Sequence, residues 1–457
     1  MNNPESIPEN ESASERREKP PLRVRLAVVA ASVIFALLVF EVFLRIVGYT
    51  YPVFYQPDEV RGYSLWPGAE GRYRREGAAH VQINSDGLRD REHTKSKPAG
   101  TLRIAVVGDS YAEAFQVERE QAFWSVLEQK LRDCPALAGR EVEVINFGVS
   151  GYGTAQELLT LREKVWSYSP DVVLLAVTTN NDVLDNSRVL KVTDEIPYFR
   201  LDGDQLTLDD SFRQTAAFRL RNSALNRLGR WLREHLRFVQ AIHEGQGAIK
   251  SRLDAWREQR RLAKEKEKNG ADATGGVKTT GTTGDAATPA GDVPADELGT
   301  ANVIYREPSD DVWQGAWLVT ERLLVEMNAE VKSHGARFYV VTLSNGIQVF
   351  PDPSAREAFA HRLGAADLFY PERRFKSLGE RAGFPVYNLA PDLQAYADRG
   401  GLFLHGFGAQ RGNGHWNEDG HRVAGEMLAR QLCDWLAHER EKETPHDEGN
   451  TEGGSTR

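Results

Sequence analysis

The chain has 457 residues, 40% of them hydrophobic and 27% charged, with a formal net charge of -9. This apolar content is enough for a sizeable core, and the lack of a basic block argues against a nucleic-acid partner. The two cysteines, Cys134 and Cys433, lack metal-ligand spacing. A disulfide outside the cytoplasm and two buried free thiols both stay open.

The N-terminal part predicts a membrane anchor. Residues 1–21 are polar and are expected to be a disordered cytoplasmic tail. Residues 22–48 contain an unbroken apolar run from Leu26 to Phe40, and the stretch is long enough for a bilayer, which needs about 20 residues. No small-residue cleavage site follows the run, so we expect an uncleaved single-pass anchor.

The charges around this segment predict its orientation. Five basic residues precede this segment or lie at its start: Arg16, Arg17, Lys19, Arg23 and Arg25. The first basic residue after the segment is Arg61. The positive-inside rule therefore places the N-terminus in the cytoplasm and the rest outside, in the periplasm of a Gram-negative cell. Glu41 and Arg45 lie four residues apart and can form a local ion pair. The alternative is that they dock another membrane helix.

Beyond the anchor, residues 49–100 are expected to be an irregular lead-in. Residues 101–436 then alternate strands and helices, which predicts a parallel sheet with helices on both faces. The predicted strands are 102–107, 143–147, 171–177 and 337–343, and the predicted helices are 121–131, 154–166, 313–333 and 420–436.

An insertion at 190–310 interrupts this alternation. It opens with a hairpin that turns at Asp202-Gly203. An apolar stripe at helical spacing follows, formed by Leu225, Leu228, Leu232, Leu236, Val239, Ile242, Ile249, Leu253 and Trp256. Residues 264–300 are expected to be a flexible linker, and 437–457 a disordered tail.

Four polar segments lie where the strands of such a sheet end. Gly108-Asp109-Ser110 follows the first strand, a glycine-rich loop at 146–153 follows the second, and Asn180-Asn181-Asp182 follows the third. His415 precedes the last helix. Active groups of open α/β sheets collect at the carboxyl ends of strands, so this order predicts a serine with a histidine base and nearby oxyanion donors.

These residues resemble the SGNH (GDSL-type) hydrolase family in its membrane-anchored bacterial form. The resemblance covers roughly 80–190 and 310–436 and implies a flavodoxin-like three-layer α/β/α sandwich. It further implies Ser110 as nucleophile and His415 as base. The implied oxyanion hole comprises the amides of Ser110 and Gly151 and the side chain of Asn181, with Asp109 supporting the turn.

Two positions depart from the family pattern. Tyr111 follows the serine where the family has Leu. Gly412 occupies the position of the aspartate that orients the family's histidine, so another carboxylate, a backbone carbonyl or a two-residue mechanism must serve His415. His421 is the rival base, although a structural role at the helix start is favoured.

The expected function is a serine esterase or acyl-transfer enzyme acting on ester bonds outside the cytoplasm, with O-acyl carbohydrates as substrates. No metal or organic cofactor is expected. One alternative is a catalytically impaired envelope scaffold, for which Gly412 is the sign. Another is an O-acetyltransferase component that works with an integral-membrane acyl donor.

Overall fold

A computed structural model describes residues 21–50, 53–203, 205–246 and 300–443. Its main sheet has five strands, β5 (Thr101–Gly108), β6 (Glu141–Asn146), β7 (Val172–Thr178), β10 (Arg337–Leu343) and β11 (Val386–Asn388). All pairings are parallel, and the strands lie side by side in the order β6-β5-β7-β10-β11. This is the flavodoxin-like order, so the predicted fold class is confirmed.

Helices cover both faces of the sheet. They are α2 (Ser110–Glu113), α3 (Phe123–Leu131), α4 (Thr154–Glu163), α5 (Thr179–Leu184), α6 (Arg188–Lys191), α10 (Asp311–Ser333), α11 (Pro353–Leu363), α12 (Tyr370–Ala382), α13 (Leu389–Gly400) and α14 (Glu418–Glu443). Short 3-10 helices lie at 119–121, 135–137, 165–168, 211–214, 300–305, 346–349 and 408–410.

Alternate residues of each central strand enter opposite cores. In β7, Val173 and Leu175 pack against α4 and α10, whereas Leu174 and Ala176 pack on the side of α3, α13 and α14. Burial on both faces explains why this strand reads as a continuous apolar run in the sequence. The two cores make the domain a three-layer sandwich.

The lead-in at 49–100 is more ordered than predicted. It forms two antiparallel hairpins, β1 (Tyr55–Asp58) with β2 (Gly62–Leu65) and β3 (Glu70–Tyr73) with β4 (Ala79–Gln82). Their apolar side chains build a third core with Phe115, Val149 and Tyr152 of the main domain. The strands are only four residues long, which is why their alternation was too short to stand out in the sequence.

The N-terminal helix α1 (Leu22–Ile46) is long and apolar enough to cross a membrane. The insertion begins with the predicted hairpin, β8 (Tyr198–Asp202) and β9 (Gln205–Asp209), and continues with α7 (Ala216–Arg221) and α8 (Ala224–His235). Residues 237–246 form a further helix, α9. Ile249, Leu253, Trp256 and the predicted linker lie outside the described residues.

The predicted apolar stripe is not one continuous helix, because Leu236 interrupts it with an extended backbone. The ion pair of Glu41 and Arg45 in α1 bonds the backbone on either side of this interruption. Arg45 Nη2 donates to the carbonyl of His235 at 2.7 Å, and the amide of Phe238 donates to Glu41 at 3.0 Å. Arg45 and Glu41 also bond each other at 2.7 Å. The pair therefore holds this chain's own insertion, beyond the local role expected for it.

Cys134 and Cys433 form a disulfide across 299 positions of the sequence. It links the segment after α3 to α14. Of the two possibilities that the sequence left open, the structure has the bridge. Structural disulfides persist in oxidising compartments and are rare in the cytosol.

Candidate active site

The candidate site lies where the strand order of the sheet reverses, between β5 and β7. Ser110 follows β5 as the first residue of α2, and Asn181 lies in the first turn of α5, which follows β7. Ligands of doubly wound sheets bind in the crevice at this switch point. The sheet thus brings together two segments that are about seventy residues apart in the sequence.

Ser110 and His415 meet across the site. The Nε2 atom of His415 lies 2.8 Å from the Oγ atom of Ser110, although the two residues are 305 positions apart. Ser110 is buried and His415 is partly exposed. This is the distance at which an imidazole can remove the proton from an attacking hydroxyl.

The acid that orients His415 is Glu76, which the sequence did not single out. Glu76 lies in the loop between β3 and β4. Its Oε2 atom is 2.5 Å from His415 Nδ1, and its Oε1 atom accepts the His415 amide at 2.7 Å. A carboxylate at Nδ1 fixes the tautomer that leaves Nε2 free to accept a proton. Ser110, His415 and Glu76 therefore form a complete hydrogen-bonded triad.

Charge pairing shifts the pKa values of this pair in opposite directions. Burial lowers the pKa of His415, but the hydrogen bond and charge of Glu76 outweigh it and raise that pKa above the ordinary value. Burial raises the pKa of Glu76, but its bonds to His415 bring it below the ordinary value. The carboxylate is thus ready to stabilise the imidazolium that forms when His415 takes up a proton.

Two glycines explain why the acid comes from the lead-in. Gly412, three residues before His415, has φ 93°, and a Cβ there would lie 2.5 Å from the ring of Phe350. A side chain is therefore excluded at Gly412. Gly414 has φ 83°, and a Cβ there would lie 2.2 Å from Glu76 Oε1. The lack of a side chain at Gly414 is what lets the Glu76 carboxylate approach.

A second histidine supports the loop that carries His415. His405 is buried, and burial lowers its pKa to about 4. Its Nδ1 lies 2.7 Å from the Gly414 carbonyl and its Nε2 lies 2.9 Å from Ser344 Oγ. The carbonyl can only accept, so the neutral ring donates from Nδ1 and accepts from Ser344. The backbone next to His415 is thereby fixed.

The predicted oxyanion donors lie around the same strand ends. Asn181 Nδ2 donates one hydrogen to Asp109 at 2.9 Å, and an amide nitrogen carries two. Asp109 also accepts from the Tyr111 amide and from Thr178 Oγ1, each at 3.0 Å. Asp109 therefore fixes the turn that carries Ser110 and aligns Asn181.

Gly151 lies in the loop after β6 with φ 76°, a conformation that favours glycine. A Cβ there would lie 2.7 Å from the hydroxyl of Tyr63, which donates to the Ser150 carbonyl at 2.8 Å. The lead-in thus holds this loop as well as the histidine loop.

Glu113 is a buried carboxyl three residues after Ser110. It accepts the Ser150 amide at 3.0 Å and the Tyr55 hydroxyl at 2.8 Å. Burial raises its pKa to about 7, against these hydrogen bonds. The sequence did not single out Glu113. It pointed instead to Asp109, the acidic residue directly before Ser110.

The other aromatic and polar residues near the motifs are structural. Phe147, Tyr152 and Trp416 are buried in the cores. Asn146 bonds the backbone of Arg89 and Gly148. The rival base His421 is buried against Phe123, whose amide donates to its Nδ1, and burial lowers its pKa to about 3.

A cavity of about 720 Å³ adjoins the triad. His415, Glu113 and Ser150 line it together with the residues that directly follow α1. Within the described part of the chain, no cluster of three or more His, Cys, Asp or Glu side chains is arranged to hold a metal ion. The arrangement as it stands can perform nucleophilic chemistry with its own side chains.

No protein-family model and no curated protein matches this chain. Among solved structures it is similar to an acetyl xylan esterase, with a TM-score of 0.33, 13% identity and coverage of 72% of this chain and 99% of that one. A lipase/acylhydrolase from Enterococcus faecalis has a TM-score of 0.32 and 13% identity over 73% of this chain and 96% of that one.

A variant of an acetyl-xylooligosaccharide esterase from Geobacillus has a TM-score of 0.31 and 13% identity, over 75% of this chain and 96% of that one.

Proposed function

We propose that this chain is a membrane-anchored serine esterase or acyltransferase of the SGNH type, acting outside the cytoplasm. The observation that carries the proposal is the continuous triad. Ser110 Oγ, His415 and Glu76 are joined at 2.8 Å and 2.5 Å. Three side chains from distant parts of the sequence meet in the order that nucleophilic catalysis requires.

In this mechanism Ser110 Oγ attacks the ester carbonyl while His415 Nε2 accepts its proton. Glu76 stabilises the resulting imidazolium. The carbonyl oxygen becomes an oxyanion, for which the amides of Ser110 and Gly151 and the second hydrogen of Asn181 are the proposed donors. The bond to the leaving alcohol then breaks, and His415 returns the proton to that alcohol. His415 then takes a proton from water or a sugar hydroxyl as its oxygen attacks the acyl-serine. The bond to Ser110 Oγ breaks, His415 returns the proton to Oγ, and the acyl group leaves as a carboxylic acid or a new ester.

The proposed location follows from α1 and the disulfide. A helix of 25 residues spans about 37 Å at 1.5 Å per residue, more than the roughly 30 Å of a bilayer's hydrocarbon core. The disulfide between Cys134 and Cys433 fits the oxidising side of the membrane. Acyl esters of envelope carbohydrates are the substrate class that we propose for an enzyme held there.

The alternative of a catalytically impaired scaffold rested on Gly412, which lacks the family's acid. Glu76 occupies the place of that acid at His415 Nδ1, so this ground for the scaffold no longer applies. The acyl-donor partnership rested on the Glu41–Arg45 pair, and that pair is engaged by His235 and Phe238 of the same chain.

Removing the nucleophile tests the proposal. We expect Ser110→Ala to lower kcat for p-nitrophenyl acetate by roughly 10³-fold or more, because the acyl-enzyme can no longer form. Ser354→Ala, at an exposed serine of α11, is the matched control and keeps wild-type turnover. Near-normal turnover by Ser110→Ala, with an unchanged circular dichroism spectrum, would end the assignment.

A further inference from the structure

The cavity beside the triad reaches the end of the membrane helix. The same space is lined by His415 and Ser150 of the candidate site and by Val47, Tyr49 and Thr50, which directly follow α1. A substrate bound there lies against the point where the chain leaves the proposed membrane. Direct entry from the membrane surface is therefore open to it.

The cavity wall is rich in arginine. Arg72, Arg74 and Arg75 come from the β3–β4 hairpin, and Arg233 comes from α8. None of the four forms an ion pair with any residue in the described ranges, in contrast to Arg91, Arg103 and Arg119 of the same domain. An unneutralised cluster of guanidinium groups recognises phosphate oxygens by charge and by paired hydrogen bonds.

The acids in the same wall do not neutralise these arginines. Glu244 accepts the Tyr49 hydroxyl. Glu113 bonds Tyr55 and Ser150, and burial raises its pKa to about 7. The cavity therefore carries a positive excess near neutral pH and suits an anionic ligand.

Helix α8 of the insertion lies next to the cavity wall, beside the outer end of α1. Glu41 and Arg45 bond the break between α8 and α9, which places α8 beside the last turn of the anchor. Leu225, Leu228 and Trp231 of α8 are 79%, 53% and 51% exposed. Their spacing of three puts them on one face of the helix, and Arg227 is exposed between them. A basic helix with an exposed apolar face is typical of helices that lie in a membrane interface.

We propose that the arginine-lined cavity binds the phosphate-bearing head group of an acylated amphiphile from the leaflet at the outer end of α1. The head group contacts Arg72 and Arg75, and the apolar face of α8 rests on the same leaflet. The acyl ester then reaches Ser110 without leaving the membrane surface. This inference rests on the proposed function and specifies the substrate class of the same site.

Protection of Ser110 from a covalent probe tests this binding. Full-length protein in phosphatidylcholine vesicles is treated with a short, neutral fluorophosphonate, and the rate of Ser110 labelling is measured as phosphatidylglycerol is added. We expect the anionic lipid to slow labelling of the wild type. In Arg72→Gln/Arg75→Gln, we expect the fraction of phosphatidylglycerol that halves the labelling rate to be about 10-fold higher or more. The reason is that two charged hydrogen-bond partners of the lipid are lost.

Arg399→Gln is the matched control, since Arg399 is an exposed arginine at the end of α13 and away from the cavity wall. It should be protected like the wild type, and all variants should show the same melting temperature. The inference would be overturned if phosphatidylglycerol protected Ser110 equally in Arg72→Gln/Arg75→Gln and in the wild type, or if it protected neither. Labelling of Ser110 in that experiment would still support the proposed esterase. Equal protection by dissolved glycerol phosphate would overturn the membrane source. A wild type that is not labelled at all would refute the proposed function first.

Discussion

At the scale of single residues, Glu76 decides how the site works. It holds His415 by two bonds, one to the ring and one to the backbone amide. The sequence could not reveal this acid, because it lies 339 positions before the histidine and in a loop with no motif. The only sequence signal was negative: Gly412 at the usual position meant that the acid had to come from elsewhere.

Glu76→Gln tests whether the carboxylate of Glu76 orients His415, because the substitution leaves the catalytic imidazole in place. We expect kcat to fall roughly 10²- to 10⁴-fold, because an amide no longer enforces the productive tautomer. His415 must be neutral to act as a base, and Glu76 raises its pKa. Loss of the carboxylate lowers that pKa, so the acidic limb of the kcat/KM profile should move to lower pH.

A pH–rate profile of the chromogenic ester measures this effect. Glu70→Gln, in the same hairpin and exposed in a pair with His80, is the matched control and should keep the wild-type profile. An acidic limb that stays in place in Glu76→Gln would show that the carboxylate does not act on His415.

At the scale of elements, α4 and α5 carry a buried acid pair beneath the site. Asp182 of α5 accepts the Thr178 amide at 2.7 Å and Thr154 Oγ1 at 3.2 Å. Glu157 of α4 is completely buried, and no donor within the described residues reaches its carboxyl oxygens. Burial, with the nearby charges of Asp182 and Asp109, raises the pKa of Glu157 well above its ordinary value. Burial also raises the pKa of Asp182 well above its ordinary value, so the pair resists the loss of both protons as the pH rises.

This pair makes stability depend on pH. A carboxyl whose folded pKa is raised contributes its full stability below its unfolded pKa and loses it as the pH rises through the folded pKa. Glu157→Gln removes the titrating group. We expect the free energy of unfolding of this variant to fall less than that of wild type between about pH 5 and about pH 8.

Urea unfolding at a series of pH values measures the difference. The matched control is Glu163→Gln, at the exposed end of the same helix, which should follow the wild-type curve. Parallel pH curves for Glu157→Gln and wild type would mean that Glu157 does not retain its proton in the folded chain.

At the scale of the whole molecule, the sequence predicted the elements that have a long, uninterrupted hydrophobic pattern. The run Arg337–Leu343 was predicted at its observed bounds because a strand buried on both faces is continuously apolar. The edge strand Val386–Asn388 has only three residues and was missed. The four-residue strands of the lead-in were missed for the same reason, and with them the acid of the triad. Short elements take their structure from what they pack against, which one-dimensional patterns do not contain.

The fold also explains why Ser110 and His415 could be found when Glu76 could not. Both lie next to regular elements, at the end of a strand and at the start of a helix, where the topology of a parallel sheet fixes their place. Glu76 lies on an addition to that topology, held by tertiary contacts alone.

The most direct test of the account is the site and rate of covalent labelling by a fluorophosphonate. Mass spectrometry of the full-length protein should find the adduct on Ser110. His415→Gln should slow labelling about 10²-fold or more, because the hydroxyl loses its base. His421→Gln, whose ring lies in the core, should label as the wild type does if it retains the wild-type circular dichroism spectrum. An adduct on another residue, or unchanged labelling of Ser110 in His415→Gln, would contradict a working triad of Ser110, His415 and Glu76.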